Sequence, residues 1–289
     1  MEREADEMDP ALQTLFVDPV EKDLLEYVGE YKGDKWWNGF LVGSKSCYQV
    51  IRGIADFVGW PCKEGPFFKD IGTFLGLWDK LWGMPEVKSA CEEIACVQGP
   101  ILEVAAGLGG GFVPGLLKLE ENLIILMNDL DIRVLEDWRC FSSKGVEKIG
   151  RSLSFSAFDA KQMPIREGSF SAVTSLGGFS NIDSDHVSAV REAFRVLRRG
   201  GLLCILEGWF SKKEISSFMP DAIDDMERSP PGLLGEEGWE SALKEAGFKV
   251  LEKLDVSSPF LRYYSNQILL LFSYNRLEPK FSLIKAIKP

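Results

Sequence analysis

From about residue 98 onward, short apolar runs alternate with amphipathic stretches. PILEVA (100–105), NLIILMN (122–128), SFSAF (154–158), SFSAVTSL (169–176) and GLLCIL (201–206) are each apolar nearly throughout and bounded by turn residues. That is the pattern of strands buried on both faces. Between them lie helical patterns. Val187, Val190, Phe194 and Leu197 share one helix face, and Asp183 or Ser184 is the expected N-cap. Trp239, Ala242, Leu243 and Ala246 repeat the spacing, with Gly247 as the stop. Strand and helix in alternation predict an α/β fold with a parallel central sheet.

Residues 1–97 lack this alternation. Cys47, Val50, Ile51, Ile54, Phe57 and Val58 fall at helical offsets, and Ile71, Phe74, Leu75, Trp78, Leu81 and Trp82 repeat the same offsets. The spacing predicts two packed amphipathic helices, and so an N-terminal helical extension or cap over 1–97, followed by an α/β domain over 98–289. Aromatic residues are concentrated at 31–90, where most are expected to form the core of the extension.

Composition narrows the function classes. The chain has 289 residues, 45% of them hydrophobic and 27% charged, which suits a globular protein. Its longest purely apolar run, Ile268 to Phe272, is too short to span a membrane, and the acidic start carries no apolar leader. A cytoplasmic location is expected. Of the net charge of −11, residues 1–30 carry −8, as a solvated helix or a partner surface. Binding to nucleic acid is not expected of a chain without clustered Lys and Arg. The six cysteines include no C-x-x-C pair and the only His is His186, so no metal site is expected, and the thiols are read as reduced and mostly buried.

The segment with chemical content is Ile101-Leu102-Glu103-Val104-Ala105-Ala106-Gly107-Leu108-Gly109-Gly110-Gly111. An apolar strand ends in an acid, and a glycine-rich turn lets the backbone approach a ligand closely. Two further strands end in acids, at Asp129-Leu130-Asp131 and at Phe158-Asp159-Ala160. A carboxylate after the second strand can accept from a ribose diol, and one after the third from an adenine amine. The stretch Glu192 to Gly201 then precedes the fifth strand.

In these motifs, over about residues 98–275, the chain resembles the class I S-adenosylmethionine-dependent methyltransferases, of the small-molecule type of ubiquinone and menaquinone biosynthesis. The acid-x-Gly-x-Gly-x-Gly motif of that family is matched by Glu103, Ala105, Gly107 and Gly109, with alanine for the first glycine. Glu192 to Gly201 resembles its E-x-x-R-V-L-K-P-G-G signature, with Arg198-Arg199 where Lys-Pro is usual. Ser171 stands where an Asp often precedes strand four. Residues 238–256 resemble its last helix and sixth strand, and Asn266 to Tyr274 its seventh.

The resemblance implies a Rossmann-like, seven-stranded, mostly parallel sheet with an antiparallel last strand and helices on both faces. It implies S-adenosyl-L-methionine as cofactor and a methyl transfer to a small-molecule acceptor. Gly107 and Gly109, with Ala105, would line the methionine end. Glu103 would orient the loop and favour the ammonium. Asp129 would hold the ribose hydroxyls and Leu130 would cover adenine. Asp159 and Ala160 would meet the adenine edge, and Ser175 and Leu176 would lie near the transferring methyl. No catalytic base is assigned. His186 titrates in a suitable range, but is read as an exposed His at a helix start. The pocket roof is expected from the N-terminal helices and the insert at 209–235, with Trp36, Trp37, Trp78 and Tyr263 as lining candidates or core residues. An aromatic roof suits a partly apolar acceptor. Two alternatives stay open: an NAD(P)-binding Rossmann oxidoreductase, for which Ala105, Gly107 and Gly110 give a marginal Gly-x-Gly-x-x-Gly fit, and a catalytically inactive binding or scaffold protein.

Overall fold

A computed structural model describes residues 8–59, 81–107, 109–120, 122–143, 153–182, 185–209, 238–258 and 280–289. After a short helix, α1 (Pro10–Gln13), come four strands, β1 (Glu26–Lys32), β2 (Lys35–Val42), β3 (Cys47–Ile51) and β4 (Ile54–Asp56). Helix α2 (Pro85–Ala95) leads into β5 (Ile101–Glu103), α3 (Val113–Leu119), β6 (Ile125–Asp129), α4 (Ile132–Ser143), β7 (Leu153–Ala157) and β8 (Phe170–Leu176). Then follow a 3-10 turn (Phe179–Asn181), α5 (His186–Val196), β9 (Leu197–Trp209), α6 (Gly238–Ala246), β10 (Lys249–Asp255) and β11 (Lys280–Ile287).

All these strands form one sheet in the order β1-β2-β3-β4-β7-β6-β5-β8-β9-β11-β10. From β4 to β9 the neighbours are parallel. The chain order reverses at β5, which lies between β6 and β8. A crevice therefore opens at the carboxyl ends of β5 and β8, the usual ligand position in such sheets. Alternate strand residues feed two cores. Ile101, Ile125 and Leu153 pack under α2, α3 and α4, with Trp82, Ile94, Leu116 and Trp138. Leu102, Leu126 and Val173 pack on the other face with Val190 of α5, Leu243 of α6, and Leu12 and Phe16 of the N-terminal segment.

The expected strands at 100–105, 122–128, 154–158, 169–176 and 201–206 all form, within a few residues of the expected bounds. Helix α5 is capped by Asp185, whose side chain accepts from Ser188 N–H. Helix α6 ends at Gly247 with φ 102°. The antiparallel last strand is Lys280–Ile287, paired to both β9 and β10. The expectation at 266–274 falls outside the described residues, as do the insert beyond Trp209 and the helical pattern from Ile71 to Trp78.

The N-terminal section corrects the helical expectation. Residues 47–58 form a hairpin, β3 and β4, joined by Arg52 and Gly53 with φ values of 49° and 82°. Positive φ at both central residues matches the twist of a two-residue hairpin, and the flanking β-branched Val50, Ile51 and Ile54 suit extended backbone. The helical offsets arise because apolar residues of two short arms, each with period 2, fall by coincidence on a 3.6 spacing. Through β4, which pairs with β7 at Ala55↔Ser156 and Asp56↔Ala157, the meander continues the central sheet. Among the described residues of the acidic start, 8–30, α1 is the helix that forms. Asp18 is buried and accepts from the N–H groups of Val20 and Glu21 and from the Ser46 and Tyr48 hydroxyls. Burial opposes its ionisation, yet these bonds win and hold its pKa near about 2. Of the five described cysteines, Cys47, Cys96 and Cys140 are exposed, against the expectation that most are buried.

The family-like stretch before β9 has a structural task. Glu192 accepts from Met163 N–H at 2.8 Å, and Arg195 donates to the carbonyls of Met163 and Ile165. Together they pin the loop between β7 and β8, onto which the N-terminal segment docks through Val17 N–H to Pro164 O.

If the meander shares the central core, Leu41→Ala will lower unfolding stability by about 2–5 kcal/mol. Leu41 is fully buried. Urea unfolding followed by circular dichroism and tryptophan fluorescence should show one displaced transition, not the loss of a separate early one.

Candidate cofactor site

The loop after β5 is bent by four residues in the left-handed region: Ala105 (φ 50°), Gly107 (56°), Gly110 (70°) and Gly111 (59°). Glycine adopts this backbone freely, whereas an L-residue such as Ala105 pays about 1 kcal/mol. Side chains from neighbouring elements tie the loop down. Asn128 Oδ1 accepts from Ala105 N–H at 3.3 Å, and its amide donates to the Ser156 and Phe158 carbonyls at 3.2 and 3.0 Å. The Trp138 indole donates to Gly107 O at 3.0 Å, and the Trp82 indole to Gly111 O at 3.2 Å. At Gly110 a Cβ would strike the Trp138 ring. Beside Gly107, by contrast, the space is open. The loop is thus held from within while this part of it stays accessible.

Glu103 closes the loop from below. It is fully buried, accepts from Phe112 N–H at 3.1 Å and from Thr174 Oγ1 at 2.6 Å, and its Oε1 has no hydrogen-bond partner. A Cβ on Gly111 would overlap this carboxylate. Burial pushes its pKa up to about 8, against the pull of the Thr174 and Phe112 bonds.

Asp129 ends β6. Its Oδ2 accepts from Gly107 N–H and its Oδ1 from Asp131 N–H, both at 2.9 Å. Two N–H groups leave lone pairs on both oxygens, so a diol can still be received. Burial raises its pKa, offset in part by those two bonds. Leu130 beside it is exposed, at 46%. Asp159 follows β7 and accepts from Lys161 N–H at 2.8 Å, with Ala160 buried behind it. Ser175 ends β8, but its hydroxyl turns into the sheet and donates to Val104 O at 3.1 Å; Leu176 is nearly buried. Gly109 is buried in the loop. The sheet therefore lines up Asp159, Asp129, the glycine loop and Ser175 on four adjacent parallel strands, about 4.8 Å per step.

His186 corrects its expectation. It is 2% exposed, not solvent-facing, because Nδ1 donates to Phe179 O at 2.7 Å and the ring packs at the start of α5. Trp36 is a core residue stacked on Tyr27, and Trp37 lies under Lys32, so neither roofs the crevice. Trp78 and Tyr263 lie outside the described residues. A cavity of about 590 Å³ does exist, lined by Phe40, Tyr48, Asp56, Phe57 and Ile132 among others, but at the meander, several strands away from β8. Sequence reasoning missed Asn128, Trp138, Trp82 and Glu207. Glu207, fully buried at the end of β9, accepts from the N–H groups of Phe179 and Ser180. A polar residue inside an apolar strand, as in ILMND and LLCILEG, was the available signal.

A family model described as a methyltransferase domain matches residues 102–205, from β5 into β9. The matched stretch, from β5 into β9, is thus similar to a methyltransferase domain. An uncharacterized protein of Mycobacterium tuberculosis is 26% identical over 179 residues, 56% of this chain and 63% of that one. The chain thus spans less than two thirds of that relative. The demethylmenaquinone methyltransferase of Deinococcus radiodurans is 32% identical over 119 residues, 41% of this chain and 47% of that one. Among solved structures, a geranyl diphosphate methyltransferase in complex with SAM superposes with a TM-score of 0.55 at 15% identity, covering 80% of this chain and 94% of that one, and so shares the fold. Among the described residues, no helix is long and apolar enough to cross a membrane.

The raised carboxyl groups of the α/β unit set a pH dependence. Folding holds the Glu103 proton more tightly, from an ordinary value of 4.5 to about 8, and the Glu207 proton to about 7. Their favourable contribution is full below pH 4.5 and is lost as pH rises toward 8. Thermal melts from pH 5 to 9 should show stability falling over that window, and Glu103→Gln should flatten the fall.

Proposed function

We propose that the protein binds S-adenosyl-L-methionine in the β5–β8 crevice and transfers its methyl group to a small, partly apolar acceptor by in-line displacement. The observation that carries this reading is the row of strand ends: a tied-down glycine loop on β5 with a carboxylate on each of the next two strands, Asp129 on β6 and Asp159 on β7. The bound cofactor supplies a methyl already activated on a sulfonium, so the protein's task is to bind, orient and exclude water. In this reading Asp129 holds the ribose hydroxyls with its spare lone pairs and Leu130 covers adenine. Asp159 and Ala160 meet the adenine edge. Ala105, Gly107 and Gly109 present backbone to the methionine end, with Glu103 shaping the loop from beneath. Ser175 acts indirectly, by tying β8 to β5, and Leu176 faces the transfer region.

The acceptor is taken to be small and partly apolar. This is supported by the names of the Deinococcus radiodurans relative and the geranyl diphosphate methyltransferase, each of which points to an apolar acceptor. We take the unit at 98–289 to be the methyltransferase domain and the cytoplasm to be where it works. His186 is placed to steady the turn after β8 through Phe179 O, which favours a supporting role over that of a base.

Calorimetry tests the reading. Wild type should bind S-adenosylmethionine with micromolar-range affinity, on the order of 8 kcal/mol. Asp129→Ala, which removes two acceptors for the diol, and Gly107→Trp, which fills the open space, should each weaken it by at least about tenfold. Preferential thermal stabilisation by NAD would favour the oxidoreductase alternative. Cofactor binding without turnover across a methyl-acceptor screen would favour the binding protein.

A further inference from the structure

Glu207 is the second buried carboxylate of the crevice, and none of the cofactor roles above uses it. It stands at the end of β9, fully buried, on the strand beside β8. Its Oε1 accepts from Phe179 N–H at 3.1 Å, and its Oε2 from Ser180 N–H at 3.1 Å and Ser180 Oγ at 2.7 Å. Each of these partners donates, so both carboxyl oxygens of Glu207 act as acceptors toward the turn. The residues it grips belong to the turn that follows β8, at the point where the strand order reverses.

That turn is held on all sides. Gly177 N–H donates to Leu206 O at 2.8 Å, Asn181 Nδ2 to Gly177 O at 2.6 Å, and His186 Nδ1 to Phe179 O at 2.7 Å. It also abuts the glycine loop. A Cβ at Gly178 would lie 2.7 Å from Val104 O and 2.9 Å from Ala105 O, so only glycine lets the two loops meet. Beside Gly177, at φ 67°, the space is open. The turn therefore forms one wall of the crevice, next to the β5 loop and on the far side of it from Asp129.

We propose that Glu207 is a positioning residue for methyl transfer: by clamping Phe179 and Ser180 it fixes the Gly177–Ile182 turn against the β5 loop, and so shapes the part of the site that receives the methionine and sulfonium portion of the cofactor. This rests on the S-adenosylmethionine reading. It separates the two halves of the ligand. Asp129 and Asp159 serve the nucleoside, one and two strands away from β5 on the side opposite β8, and Glu207 serves the end that carries the methyl.

Paired titrations with S-adenosylmethionine and 5′-methylthioadenosine, which keeps the nucleoside but lacks the amino acid and the positive charge, test this. Glu207→Ala should weaken S-adenosylmethionine by about tenfold or more, the size expected for a lost charged hydrogen-bond set. Glu207→Gln, which keeps an acceptor oxygen, should recover part of that loss, and Ser180→Ala should show a smaller one. Methylthioadenosine affinity should stay unchanged in all three, whereas Asp129→Ala should weaken both ligands. Should Glu207→Ala fail to fold, the Gln and Ser180 variants carry the comparison. Unchanged S-adenosylmethionine binding in the variants, or equal weakening of both ligands, would overturn the role of Glu207 and leave the cofactor reading standing. No binding by the wild type would overturn the cofactor reading, and this inference with it.

Discussion

A carboxylate buried under a glycine loop is the constraint on which the crevice depends. Glu103 has no water to solvate it, so it must be answered by protein donors, and the donors within reach are Phe112 N–H and the Thr174 hydroxyl. The first fixes where α3 begins and the second locks β5 to β8. Because Gly111 passes directly over the carboxylate, any side chain there would break the arrangement. One acid thus decides the loop's path, the start of the next helix and the register of two strands.

The same solution recurs two strands further on. Glu207 answers the N–H groups of the turn after β8, as Glu103 answers that of Phe112. Asn128 and the two indoles of Trp82 and Trp138 deal with the remaining loop groups. Buried polar groups left unpaired cost more than the net gain from pairing them, so each of these side chains specifies one loop shape rather than merely adding stability. The outcome is a crevice whose walls are shaped before any ligand arrives, which lowers the ordering cost of binding.

The central α/β pattern was legible because its strands are buried on both faces and therefore read as nearly unbroken apolar runs. The loop, Asp129 and Asp159 were legible because glycine and acid at strand ends are local signals. What could not be read were residues whose meaning is set by distant neighbours. Asn128, Trp138 and Glu207 become intelligible only when strands separated in sequence are laid side by side. His186 looked like a surface residue because its partner, Phe179 O, is brought to it by the fold. The hairpin at 47–58 reads as a helix in sequence because its two short strands imitate a helical period, and the Arg52-Gly53 turn is the local sign that separates them. Glu192 and Arg195 form a pattern in sequence, whereas their hold on the 163–165 loop exists only in the fold.

The meander has a consequence for how this sheet meets its surroundings. By adding four strands beyond β7, it moves the exposed rim of the sheet away from the crevice and onto β1. An unpaired strand invites another chain to extend the ladder. Here the rim is irregular, since the pairing of β1 with β2 slips between Gly29 and Tyr31, and it carries Glu26, Glu30 and Lys32. At the opposite rim of the described strands, β10 slips between Val250 and Glu252 and carries Lys249, Glu252 and Lys253. Both margins are therefore kinked and charged, so that growth of the sheet by addition of foreign strands is discouraged at each end.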